Sequence, residues 1–150
     1  MNHHITTQII DVLQLIQEAH HPKAGAIVLF SGEVRNHNLG KGVDYLEYES
    51  HETLANKVIA DIVAEAHKKW ELHGVVCQHR IGKVPISESA ICVITLSSHR
   101  GAAYEANRYV VDRVKYEAPI WKREFFADGT EAWGHNSDGS ETPNSTVSND

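Results

Sequence analysis

Residues 115–129, "KYEAPIWKREFFADG", take the chain out of a helix and into a strand within a few positions. Pro119 must end the helix before it, because proline offers no backbone N–H and pushes the preceding residue out of the helical region. That helix reads over 99–117. Beyond the proline, "REFFADGTEAW" reads as a hairpin with Asp128-Gly129 as its turn. Two lysines flank the junction. Lys115 falls in the last helical turn, where it also answers the negative end of the helix dipole. Lys122 leaves the turn behind Ile120 and Trp121, against an apolar wall that can lower a lysine's pKa and suit it to proton transfer. Trp121 itself is expected in the core.

Working back from this junction, "VVCQHRIG" and "SAICVITLSS" read as strands separated by a turn with Gly82 and Pro85. Over 52–71, Leu54, Val58, Ile62, Ala66 and Trp70 keep a helical stripe, with Gly74 as a stop. "GAIVLFSGEV" (25–34) is a buried-strand run, "RNHNLGKG" a Gly/Asn-rich loop carrying Arg35, and "VDYLEYE" (43–49) alternates as a strand; these two strands are expected to pair as a long hairpin. Residues 6–19 repeat Ile9, Val12, Leu13 and Ile16 as an amphipathic helix capped by Thr6 or Thr7. Strands alternating with helices predict an α/β or α+β domain of two layers, spanning 1–134. Residues 135–150, "HNSDGSETPNSTVSND", hold almost no apolar side chains and are expected to be a disordered polar tail.

A chain of 150 residues suits one hydrophobic core. Its net charge of −6 argues against a nucleic-acid or membrane-surface binder. Yet six of the fourteen Lys and Arg (Arg100, Arg108, Arg113, Lys115, Lys122, Arg123) fall between 100 and 123, which points to a local site for a small anion. The opening "MNHHITTQ" has no apolar signal core and no run approaches a membrane span, so a soluble cytoplasmic protein is expected. Cys77 and Cys92 lie in apolar strand runs outside any C-x-x-C spacing and read as reduced core thiols. Eleven histidines form no known ligand spacing, so no metal is expected.

"LSSHRG" (96–101) joins a strand to the third helix, with Ser97 or Ser98 as N-cap. The free N–H groups there, beside His99 and Arg100, suit an anion such as phosphate. Other catalytic signatures are missing: "HETLA" has Ala55 where H-E-x-x-H needs histidine, and neither a nucleophile elbow nor a phosphate-binding glycine loop occurs.

Taken in order, "FSGEVRNHNLG", "YLEYE", "HRIG", "SSHR" and "APIWKRE" resemble the large, catalytic subunit family of molybdopterin synthase, over about Gly25 to Trp133. The resemblance implies an α/β hammerhead-like fold with an additional antiparallel sheet. It implies a sulfurtransferase that adds two sulfurs to cyclic pyranopterin monophosphate, forming the molybdopterin dithiolene of molybdenum cofactor biosynthesis. The sulfur would arrive as a thiocarboxylate on the C-terminal Gly-Gly of a small ubiquitin-like carrier subunit. A central homodimer with a carrier at each end would make a heterotetramer, using no metal or organic cofactor.

Matched residue by residue, the resemblance implies that Lys115 and Lys122 are catalytic and that Arg35, His99 and Arg100 bind substrate. Fixed positive charge suits two anionic reactants, and forming C–S bonds with loss of oxygen calls for proton donors. The chain departs from the family at His51 and Leu54, and at Ser87-Glu88, where a Gly-Glu pair is usual. Two other readings stand beside this one: a non-catalytic module that grips a ubiquitin-like tail, and a lone lysine-dependent lyase acting on a phosphorylated small molecule.

Overall fold

The computed structural model describes residues 3–137. In chain order the elements are β1 (Ile5–Thr6), α1 (Val12–Ala19), β2 (Ala26–Glu33), β3 (His37–Asn38), β4 (Lys41–Ser50) and α2 (Glu52–Lys69). There follow β5 (Gly74–Arg80), β6 (Gly82–Pro85), β7 (Ser89–Ser97), α3 (Arg100–Glu117), β8 (Ile120–Phe126) and β9 (Glu131–His135).

The first sheet has the order β1-β5-β7-β2, with only β1 running parallel to its neighbour. Every residue of β7 is buried, because helices cover both of its faces. Ile91 and Val93 pack with Ile59, Ile62, Val110 and Val114 of α2 and α3. Cys92, Ile94 and Leu96 point the opposite way, towards Ile10, Leu15 and Ile16 on the α1 side. The alternation of one strand thus serves two cores. Polar bonds seat α3 on the sheet: the Thr95 hydroxyl donates to the Ala103 carbonyl at 2.7 Å, and the Asn107 amide donates to the Val28 and Val93 carbonyls at 3.0 Å each. The second, antiparallel sheet is built on β4, which pairs with β8 on one side and with β6 and β3 on the other, while β9 extends it beyond β8. The architecture is therefore α/β with an additional antiparallel sheet, as the sequence led us to expect.

Several local expectations change. Helix α1 begins at Val12, capped by the Asp11 carboxylate accepting from Gln14 N at 3.1 Å, not at Thr6 or Thr7. Thr6 is drawn into β1, where pairing with β5 and burial of Ile5 outweigh helix propensity. Ile9 and Leu13 are consequently exposed, and Ile10 takes the buried place. In α2 the buried stripe is Ala55, Ile59, Ile62 and Ala66, with Leu54 turned outward. Strands β2 and β4 do not form a hairpin: β2 pairs with β7 and β4 with β8, so the loop between them crosses from one sheet to the other. The turn at Gly82 and Pro85 is itself a short strand against β4. His99, not a serine, occupies the N-cap of α3; the Ser97 hydroxyl instead donates to the His99 carbonyl. Ser87 holds a left-handed φ of 70°, the conformation that a glycine there would adopt without strain.

The fold runs past the expected boundary at 134. Strand β9 continues to His135, and Asn136 is buried, its amide donating to Nε2 of buried His79 at 3.0 Å while His79 Nδ1 donates to the Arg80 carbonyl at 2.9 Å. The rest of the tail, 138–150, lies outside the described residues. Among the described residues no helix is long and apolar enough to cross a membrane.

Candidate active site

A cleft of about 720 Å³ lies between α3, the β2 strand and the inner face of the second sheet. Helix periodicity puts Tyr104, Arg108, Val111 and Lys115 on the α3 face that lines it, over roughly 16 Å of helix axis. Strand periodicity does the same for β8. Lys122 and Glu124 point into the cleft, whereas Trp121 and Arg123 point outward. Trp121 is 42% exposed, so it is not the core residue expected; it lies on the outer face with Trp133, where Arg123 sits over the Trp133 ring.

The junction at Pro119 sets the geometry of the two lysines. The Ala118 N–H closes the helix on Val114 at 3.1 Å, Ala118 and Ile120 are fully buried anchors, and the Pro119 carbonyl accepts from His51 N at 3.2 Å. Lys115 ends the helical wall of the cleft. Lys122 lies two residues into β8, directly across from Tyr48 of β4. Burial in the cleft, and then the charge of Lys122, pull the Lys115 ammonium down from 10.5 to about 8, with Asp112 opposing them. Such an amine can both give and take a proton near neutral pH.

The Tyr48 ring stands edge-on to His79, 5.0 Å between centroids, and Tyr48 is buried. Burial, with the Glu124 charge second, raises its phenol well above the usual range. Burial likewise lowers His79 to about 4, against the pull of its bond to Arg80 and helped by Lys115. Behind the lysines, then, the wall is neutral at physiological pH. Cys77 and Cys92 are free and buried, pushed up to about 12 and about 11 by burial, which leaves them protonated thiols far from nucleophile chemistry.

Arg35 lines the same cleft, on the loop after β2, with its Nη2 donating to Asn38 Oδ1 at 3.2 Å. Three of the five expected residues, Arg35, Lys115 and Lys122, therefore meet in one site. His99 and Arg100 do not. They border a separate hollow with Gly25, Ser98 and Gly101 at the opposite end of α3, about 22 Å from Lys115 along the helix axis. Sequence reasoning also passed over Asn38, Tyr48, Asp112 and Glu124. Glu124 was within reach, since residues two apart on a strand share a face and Lys122 was already singled out. Tyr48 enters through cross-strand register, which no local pattern discloses.

Comparison with known proteins fits this arrangement. A model of the MoaE protein family matches residues 5–117. The molybdopterin synthase catalytic subunit of Thermoplasma volcanium is 41% identical over 129 residues, covering 86% of this chain and 94% of that one. The subunit of the same name from Bacillus subtilis is 43% identical over 129 residues, covering 86% and 82%. Molybdopterin synthase from Staphylococcus aureus shares the fold with a TM-score of 0.79 at 36% identity, covering 89% of this chain and 98% of that one. The matched region takes in the whole first sheet, β4 of the second, all three helices, Arg35 and Lys115, and on this ground the chain belongs to the MoaE family.

Proposed function

We propose that this chain is the catalytic subunit of a molybdopterin synthase, a sulfurtransferase. It takes sulfur from the C-terminal Gly-Gly thiocarboxylate of a small ubiquitin-like carrier and adds it to cyclic pyranopterin monophosphate, building the dithiolene. The observation that carries this reading is Lys115: a half-buried amine with its pKa drawn to about 8, facing a second lysine in a cleft long enough for an extended peptide end. Relatives at about 40% identity bear the matching name.

In this reading the positive charges of Arg35, Lys115 and Lys122 gather two anions that would otherwise repel. The thiocarboxylate sulfur forms the new C–S bond while the Lys115 ammonium gives its proton to the oxygen that departs from that carbon as water. A second water then hydrolyses the carrier's acyl–sulfur bond, releasing the carrier as a carboxylate and leaving the sulfur on the pterin, and the neutral amine takes a proton back from solvent. Lys122 keeps Lys115 acidic and holds the carrier's terminal group. His99 and Arg100 bind the substrate phosphate at the start of α3. Because they sit too far from Lys115 to serve the same small molecule within one chain, the site is completed by a second copy, giving a homodimer that becomes a heterotetramer when the carriers dock. The location is the cytoplasm.

Incubating the chain with thiocarboxylated carrier and cyclic pyranopterin monophosphate, and weighing the product by mass spectrometry, tests the proposal: dithiolene should form, and omission of the carrier should abolish it. Loss of pterin affinity in Arg100→Ala, with carrier affinity kept, is expected at roughly tenfold or more. A lysine of lowered pKa would equally suit a Schiff-base lyase; a borohydride-trapped adduct at Lys115 with a carbonyl substrate would favour that alternative.

A further inference from the structure

Asn38 ends β3 at the rim of the cleft, half-buried, just before the two-residue turn Leu39-Gly40 that returns the chain into β4. Both turn residues have positive φ, 52° and 75°, as a two-residue hairpin of this twist demands. Leu39 is left-handed against the preference of its side chain and is 86% exposed, so no burial of its own holds it there.

The Asn38 amide faces two opposite charges. Its Oδ1 accepts from Arg35 at 3.2 Å, and its Nδ2 donates to both carboxylate oxygens of Glu124 on β8, at 3.0 and 2.9 Å. Arg35 and Glu124 both line the cleft, yet no direct ion pair joins these two described residues. Carboxylate and guanidinium normally close on each other in a two-pronged pair, which would occupy the donors of Arg35 and cancel its charge. An amide offers an acceptor for the first and two N–H donors for the second.

We propose that Asn38 is a positioning residue that acts as a spacer: it keeps Glu124 off Arg35 and so leaves the guanidinium available to an anionic substrate. This rests on the reading in which the cleft binds the anionic pterin. The rival explanation is that Asn38 only staples the hairpin to β8, and the two differ in what Glu124 does once Asn38 is gone.

The test uses the full chain, with cyclic pyranopterin monophosphate as probe, in four forms: unaltered, Asn38→Ala, Glu124→Gln and the double variant. Pterin affinity is measured directly by calorimetry, and KM and kcat with thiocarboxylated carrier. Asn38→Ala should weaken binding and raise KM roughly tenfold, the loss of one charge-assisted contact. Adding Glu124→Gln removes the competing carboxylate and should bring affinity back to within about threefold of Glu124→Gln alone. If the alanine variant does not fold, Asn38→Ser, too short to bridge both groups, should give the same pattern. Unchanged affinity in Asn38→Ala, or a double variant as weak as the single, overturns the spacer. An unaltered chain that neither binds the pterin nor yields product would overturn the functional reading, and the spacer with it; normal turnover with unmoved Asn38 variants would sink the spacer alone.

Discussion

Replacing Lys115 by methionine should cost the protein its activity and raise its stability, and the second effect can be worked from the site. Burial and Lys122 hold the folded pKa of Lys115 near 8 against 10.5. A lysine whose folded pKa is depressed is one whose charged form the fold penalises. The penalty is present in full below pH 8 and is relieved as pH rises from 8 to 10.5, because the folded amine is then neutral while the unfolded one still binds its proton. At roughly 1.4 kcal/mol per pH unit the penalty at pH 7 is on the order of 3 kcal/mol, and partial solvent access brings the expected value to about 1–3 kcal/mol. Methionine keeps the unbranched, apolar stem without the charge. Urea unfolding of both proteins at pH 7 and at pH 10.5 gives the comparison, and groups common to both cancel. The variant should be more stable at pH 7, with the gap shrinking towards zero at pH 10.5, while sulfur transfer falls by at least about a hundredfold. A variant no more stable than the unaltered chain at pH 7, or a gap that ignores pH, would refute the account of a strained, functional ammonium.

If Lys115 acts as the proton donor, kcat should decline above about pH 8, and Lys122→Ala, by removing a neighbouring positive charge, should move that decline to higher pH; a pH–rate profile of both forms decides it. Lys115→Arg should lose as much transfer activity as Lys115→Met, because arginine keeps its proton throughout this range. Leu39→Asn creates Asn-Gly, the favoured pair for a turn with two positive φ values, and should raise unfolding stability by about 1 kcal/mol with the hairpin otherwise unchanged. Asn136→Ala leaves Nε2 of His79 buried without the donor it has now and should destabilise by about 1–3 kcal/mol in the same denaturation assay.

What the chain's sequence determined by itself is whatever depends on near neighbours. Pro119 ends α3 because of its own ring, the alternation of β7 follows from backbone period, and Asp128-Gly129 makes the last turn because glycine tolerates its φ of 88°. Lys115, Lys122 and Arg35 were legible because they stand at such punctuation, and the roles proposed for them rest on resemblance in motifs of fixed spacing. The tertiary structure alone decided the rest. Thr6 became strand once β5 offered a partner, β2 and β4 parted into different sheets, and Asn136 left the polar tail for a buried bond to His79. Tyr48 reached the cleft through its register with Lys122, and Asn38 came to stand between Arg35 and Glu124, 86 positions further along the chain. Such contacts depend on which surfaces meet when long loops close, a sum over many weak pairings that no short window of residues contains. The rise of α3 alone, a local property, sets His99 and Arg100 at the far end of the helix from Lys115. A motif can name these residues, but only the helix rise shows that one chain cannot bring them to Lys115.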